Sequence, residues 1–123
     1  MSIHREHILT TTLREAYSYL LEKGERDRDF DVEETGPHPK RSVRYRYAGR
    51  STQPFAFIVN SGERKDYHLF YIRHPRAGDQ DRARQRFGAN DINENPAGEL
   101  TLKIRNRQDA EKVWELVKEI QLK

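Results

Sequence analysis

The sequence predicts an α+β fold: a single domain whose antiparallel sheet of four or five strands is packed on one face by an N-terminal and a C-terminal helix. Three observations predict this fold. An amphipathic helical pattern stands at each end of the chain, strand patterns lie between them, and the length of 123 residues fits one domain. Two helices that each carry one apolar stripe need a surface to cover, and a sheet supplies it.

Composition excludes several classes of protein. The absence of cysteine excludes a disulfide scaffold, a thiolate zinc site and a cysteine nucleophile. Charged residues make up 35% of the chain and the mean hydropathy is −1.07, yet the aromatic residues concentrate in periodic segments, which a disordered chain would not need. No apolar run approaches the roughly 20 residues that span a bilayer, and the first residues lack a signal-peptide core. We therefore expect a cytoplasmic domain with no membrane partner.

The N-terminal segment predicts a helix over residues 3–23, followed by a charged loop. The apolar positions that recur at the spacing of one helical face are Leu9, Leu13, Ala16, Tyr17 and Leu20. Gly24 stands where a left-handed C-cap belongs. Residues 24–41 contain glycine and proline and predict a loop, with a short edge strand at 29–34.

Four further segments predict strands at 42–48, 54–60, 66–74 and 99–105. The first and last alternate between apolar and basic side chains, so that one face of each strand carries Arg44, Arg46, Thr101, Lys103 and Arg105. The two middle segments are apolar on both faces, as in the centre of a sheet. A polar turn between them predicts a hairpin.

Residues 75–98 predict a long polar loop with a short helical turn at 79–86, and such loops are usually functional or mobile. After the last strand, Asn106 and Asp109 form a capping pattern for a final helix at 107–121. The buried stripe predicted for that helix is Ala110, Val113, Trp114, Val117 and Ile120.

Charge is distributed unevenly along the chain. The net charge is only +3, but residues 1–35 carry five basic and nine acidic side chains, whereas residues 36–50 carry five basic side chains and no acid. A local basic stretch creates a field that an anion can feel even when the global charge is small.

The basic residues predict a non-enzymatic nucleic-acid-binding accessory domain with DNA or RNA as its partner. Cations interleaved with aromatic rings suit a single strand, because guanidinium groups contact phosphates while rings stack on bases. From 66–74, the rings on that face are contributed either by His68 and Phe70 or by Tyr67 and Tyr71. The candidate binding residues on the strands are Arg44, Arg46, Lys103 and Arg105. Those in and beside the long loop are Arg73, Arg76, Arg82, Arg84 and Arg86.

Two alternatives stay open. The cations could simply solvate the outer face of a half-exposed sheet. The chain could instead be a small protein-binding module, such as an inhibitor or immunity-type protein of a phage or bacterial conflict system, because segregated charge provides steering and register between proteins.

Candidate catalytic groups are few, and the sequence favours a protein without catalytic residues, metal or cofactor. His68 and His74 would have to converge on one phosphate to act as an acid–base pair. His4 and His7 have the spacing of two metal ligands but imply no third. Glu63 and Lys65 resemble part of a nuclease motif, yet they fall in the predicted hairpin turn. The sequence leaves strand order and oligomeric state open.

Overall fold

The computed structural model describes residues 3–37 and 40–121. Its strands are β1 (Phe30–Thr35), β2 (Ser42–Tyr47), β3 (Phe55–Ile58), β4 (His68–Ile72), β5 (Ile92–Glu94) and β6 (Leu100–Ile104). Its helices are α1 (Thr11–Arg26), α2 (Asp79–Arg84) and α3 (Arg107–Gln121), with 3-10 turns at Arg5–His7 and Ala89–Asp91.

The strands form one open antiparallel sheet in the order β1-β2-β3-β4-β6-β5. The predicted α+β architecture with terminal helices on one face is therefore confirmed, and the segment expected at 29–34 forms the edge strand β1. The strand count was wrong, because the sheet has six strands. β5 was missed because it is three residues long, and its Asn93 and Glu94 are exposed, so it carries no alternating pattern.

The core lies between the sheet and the two long helices. Tyr45 of β2 faces Phe55 of β3, which faces Ile72 of β4, and this register continues to Leu100 of β6. Some of the core rings pack edge to face; Phe30 and Phe55, for example, have centroids 5.9 Å apart. The predicted stripe of α3 is buried, and the Asn106 side chain caps that helix by accepting a hydrogen bond from the Asp109 N–H at 2.9 Å.

The first helix begins later than the sequence predicts. α1 starts at Thr11 after an extended residue at Thr10, and Leu9, which was placed on the buried face, is 63% exposed. Its neighbour Ile8 is buried instead. The reason is a tertiary hydrogen bond, because the Leu9 N–H donates to the Ser61 carbonyl at 2.7 Å and draws residues 8–10 out of the helix.

Gly24 is not a C-cap, because it lies inside α1 and is buried. A Cβ at this position would lie 2.8 Å from Cγ2 of Val32 and 2.9 Å from Cδ2 of Tyr45. Glycine therefore allows the close approach of α1 to β1 and β2, and the helix continues to Arg26.

Residues 75–98 are more ordered than the long loop that the sequence predicts. They contain α2, a 3-10 turn and β5. Ala83 and Phe87 are buried in the core, which holds this segment on the helical side of the sheet. Among the described residues, no helix combines the length and apolar character needed to cross a membrane.

Candidate nucleic-acid interface

The face of the sheet opposite the helices carries the strand residues predicted to point outward. The register places Arg44 of β2 opposite Ala56 of β3, and Ala56 opposite Tyr71 of β4. Lys103 of β6 is opposite Leu69 of β4. Tyr67, Leu69 and Tyr71 thus occupy this face, whereas His68, Phe70 and Ile72 enter the core. Hereafter we call this surface the open face.

Arg44 and Arg46 are two open-face cations that lack a polar partner among the described residues. Arg44 is exposed and Arg46 half-buried. Their guanidinium groups make no hydrogen bond or ion pair with any other residue in 3–37 or 40–121. An unpaired guanidinium keeps all of its donors for a ligand, and its planar fork suits a phosphate.

The edge strand β1 brings two acids beside these arginines. Asp31 is opposite Arg46 and Glu33 is opposite Arg44. Neither acid forms an ion pair with its arginine within the described ranges, and Asp31 instead accepts a hydrogen bond from the Gly49 N–H at 3.1 Å. The acids lower the positive potential around the two arginines at the β1 edge of the open face.

A second basic cluster surrounds Tyr67. The Nζ of Lys103 lies 5.0 Å from the ring centroid, that of Lys65 lies 5.8 Å away, and the guanidinium carbon of Arg105 lies 5.9 Å away. These are cation–π distances. Arg105 also donates to Asp91 at 2.9 Å, and this hydrogen bond raises the pKa of its guanidinium. Lys103 and Lys65 therefore keep their ammonium donors for solvent or a ligand more fully than Arg105 does.

Two adjoining cavities lie on the open face above β3 and β4, and we call them together the groove. The first has a volume of about 280 Å³ and the second about 570 Å³. Lys40, Ile58 and Tyr71 line both cavities, so the two share a border. The first adds Arg44 and the second adds Arg41 and Lys65. The groove thus combines an apolar floor with cationic walls.

Among the described residues that line the groove, one is acidic, and it forms an ion pair. Glu99 is directly paired with Nε of Arg73, and its other carboxylate oxygen accepts a hydrogen bond from Asn95 Nδ2 at 2.9 Å. Burial, together with the nearby charge of Glu99, raises the pKa of Tyr71. Tyr71 therefore stays an uncharged phenol that presents a ring and a hydroxyl.

Four of the candidate arginines lie away from the groove, in the segment that packs on α3. Arg82 Nε is 3.3 Å from a carboxylate oxygen of Glu119, and Arg86 contacts the other oxygen of the same side chain. Arg76 donates to the Ile120 carbonyl at 2.7 Å. Arg84 is exposed beside Asp81. The structure thus brings Arg44, Arg46, Arg73, Lys103 and Arg105 to the open face, and places Arg76, Arg82, Arg84 and Arg86 on the helical side.

The two histidines considered for acid–base chemistry do not converge. His68 begins β4 and His74 follows its end, a separation of roughly 20 Å along an extended strand. His68 is fully buried, its Nδ1 accepts from the Asn60 N–H at 3.0 Å, and its Nε2 donates to the Leu13 carbonyl at 2.8 Å. Burial lowers the pKa of His68 to about 4. This imidazole joins β4 to α1 and does not face a site.

The remaining candidate groups are also separated. His4 is buried beside Arg41, whose Nη1 lies 3.4 Å from Nδ1 of His4, whereas His7 is exposed. Burial lowers the pKa of His4. Glu63 and Lys65 are exposed in the β3–β4 turn. Within residues 3–37 and 40–121, no group of three or more possible ligands could hold a metal ion.

Several groove residues were not predicted as binding residues from the sequence. Lys40 lies in the basic stretch 36–50, but its place beside Tyr71 depends on the return of the chain from β1 to β2. Lys65 was assigned to the predicted hairpin turn, and Ala56 belongs to the segment 54–60, which was predicted to be apolar on both faces. The available signal was the small side chain of Ala56 in an otherwise bulky central strand.

Comparison of the chain with protein-family models, with curated proteins and with solved structures finds no match in any of the three.

Proposed function

We propose that this protein binds single-stranded nucleic acid along the open face of its sheet, as a non-enzymatic accessory domain of the cytoplasm. The observation that carries the proposal is the pair Arg44 and Arg46, whose guanidinium groups have no polar partner in the described chain and stand beside a groove with an aromatic wall. A nucleic acid can bind to both features, because its phosphates pair with the guanidinium groups and its bases stack on the aromatic ring.

The spacing of the cations supports a strand that crosses the sheet. Arg44 lies on β2 and Lys103 on β6, three strand spacings or roughly 14 Å away across the sheet, and Lys103 lies two residues further along the strand direction. The apolar side chains of Ala56, Ile58 and Leu69 lie between the two basic positions. A single strand could therefore contact Arg44 and Lys103 with its phosphates while its bases lie over the middle of the sheet.

The groove favours a single strand over a duplex. In a duplex the bases are stacked and paired, so only the phosphates would reach this surface. In a single strand the bases are free to stack on Tyr71, which adds binding free energy that is independent of salt concentration. We therefore expect the protein to bind single strands more tightly than duplexes at moderate ionic strength.

The test is a titration of nuclease-treated protein against labelled single-stranded and duplex DNA and RNA. Fluorescence anisotropy would be followed from 50 to 300 mM salt, a range in which several phosphate contacts change affinity by orders of magnitude (roughly 10³ or more). Arg44→Ala combined with Arg46→Ala should weaken binding to all sequences and lower the slope of log affinity against log salt by roughly 1 to 2 units.

The matched control is Arg84→Ala combined with Arg107→Ala. This pair removes the same charge from exposed residues on the helical side. Equal weakening by the control would show that net charge alone drives binding, and absence of binding at 50 mM salt would contradict the proposal. In that second case, recovery of a stoichiometric protein partner would favour the alternative prediction of a small protein-binding module.

A further inference from the structure

We infer that the depression above Ala56 is a slot that takes one unstacked nucleobase between the side chains of Arg44 and Tyr71. The inference rests on the proposed function, because it specifies what the open face does with a base after the cations have bound the phosphates. The part of the ligand that enters the groove is the base, and the small side chain of Ala56 makes room for it.

The register creates the slot. Ala56 of β3 is paired with Arg44 on one side and with Tyr71 on the other, so its methyl group lies between two long side chains in one row of the open face. All three residues line the cavity of about 280 Å³. The flanking groups are both planar, and a phenol ring and a guanidinium group each stack on the face of a base.

The width of the slot fits one ring. β2 and β4 lie two strand spacings apart, roughly 9 to 10 Å. A base inserted between two planar groups needs a van der Waals contact of about 3.5 to 4.0 Å on each face, or roughly 7 to 8 Å between the two groups. A second base would add a third contact and would exceed the distance between β2 and β4. One ring plane therefore fits between Arg44 and Tyr71, and two do not.

The ends of the slot carry polar groups. Lys40 lies at the border with the second cavity, where a cation could contact a phosphate, and the paired side chains of Arg73 and Glu99 also line the first cavity. The pair presents a donor and an acceptor to the edge of an inserted base. A base attached to a backbone strand and a free mononucleotide share this chemistry, so the test uses both.

The deciding variant is Ala56→Leu, which fills the slot without changing any charge. The binding probes are two labelled single strands of equal length, one carrying normal bases and one abasic. Wild-type protein should bind the normal strand roughly 5- to 150-fold more tightly than the abasic strand, the range expected for one stacked base. In Ala56→Leu this ratio should fall to near unity while the salt slope stays at the wild-type value. Ala48→Leu, the same change at an exposed residue outside the groove, is the control.

A second measurement does not need a polynucleotide. Nuclear magnetic resonance signals of the Tyr71 ring should shift when a nucleoside monophosphate is added to the wild-type protein, and should not shift in Ala56→Leu. Ribose 5-phosphate, which has no base, is the control ligand. If leucine at position 56 prevents folding, Tyr71→Leu removes one wall of the slot and should abolish the preference for the strand that carries bases.

The outcomes separate the two proposals. Salt-dependent binding by wild type with no preference for the normal over the abasic strand would overturn the slot and leave nucleic-acid binding in place. The slot would also be overturned if Ala56→Leu kept the affinity, the base preference and the Tyr71 shifts of the wild-type protein. Shifts of Tyr71 with mononucleotides in the absence of any strand binding would support the slot and contradict the proposed function, while no response to any probe would contradict both.

Discussion

Nε2 of His68 donates a hydrogen bond to the carbonyl oxygen of Leu13 at 2.8 Å and thereby joins β4 to α1. On the other side of the ring, Nδ1 accepts from the backbone N–H of Asn60. These two bonds use both nitrogens of a neutral imidazole and leave no place for a second proton. Protonation would place a charge on a buried imidazole and would require the Asn60 N–H to lose its acceptor, so the folded protein resists it.

We expect the free energy of unfolding to decrease as the pH falls from about 6.5 to about 4. The pKa of His68 is about 4 in the folded protein, whereas an unfolded histidine has a pKa of about 6.5. Between these values the unfolded chain binds a proton that the folded chain does not, and the loss amounts to roughly 3 kcal/mol at the lower end. Below a pH of about 4 both states are protonated, and this contribution stops growing.

Denaturant unfolding of wild type and His68→Gln at several pH values measures this dependence. The variant should be less stable at pH 7, because it loses the two hydrogen bonds of the imidazole, but its stability should vary less between pH 6.5 and 4. Since His4 and the carboxylates are present in both proteins, the difference isolates His68. Parallel stability curves for the two proteins would show that His68 does not titrate in this way.

Gly24→Ala should destabilise the protein although alanine favours helices. The added Cβ would lie 2.8 Å from Cγ2 of Val32 and 2.9 Å from Cδ2 of Tyr45, and overpacking of this kind costs about 1 to 3 kcal/mol or more. Tyr45 cannot easily move, because its hydroxyl donates to the Leu20 carbonyl at 2.8 Å. Thermal or denaturant unfolding measures the loss.

Gly88→Ala is the control for that experiment. A Cβ on Gly88 would meet no atom within 4 Å, and the residue precedes the 3-10 turn with φ at −67°, which alanine adopts readily. We expect Gly88→Ala to leave the free energy of unfolding unchanged or to raise it by about 0.5 kcal/mol. Equal stability of the two alanine variants would mean that α1 does not approach the sheet as closely as described.

Arg82→Ala combined with Arg86→Ala should loosen α2 without weakening the proposed binding of nucleic acid. Both side chains contact Glu119 of α3 on the helical side of the sheet. Because Glu119 is partly exposed, we expect a loss of stability below about 1 kcal/mol. Hydrogen exchange of the α2 amides should become faster, while the salt slope of binding keeps its wild-type value. A reduced slope would place these arginines in contact with the ligand, as predicted from the sequence.

The sequence by itself determined the elements that rest on local patterns. Alternation in β2 and β6 assigned Arg44, Arg46 and Lys103 to the outer face, because side chains in a strand alternate strictly. The cap at Asn106 defined the start of α3 in the same local way. These features depend on residues only a few positions apart, so a pattern in the sequence was sufficient to predict them.

Only the tertiary structure decided which of these residues meet. The start of α1 and the role of Gly24 depend on Ser61 and on Tyr45, which are distant in sequence. The strand order brought Ala56 between Arg44 and Tyr71, and it separated the loop arginines from the groove by packing α2 on α3. These outcomes follow from long-range burial and hydrogen bonding, which composition and periodicity do not encode.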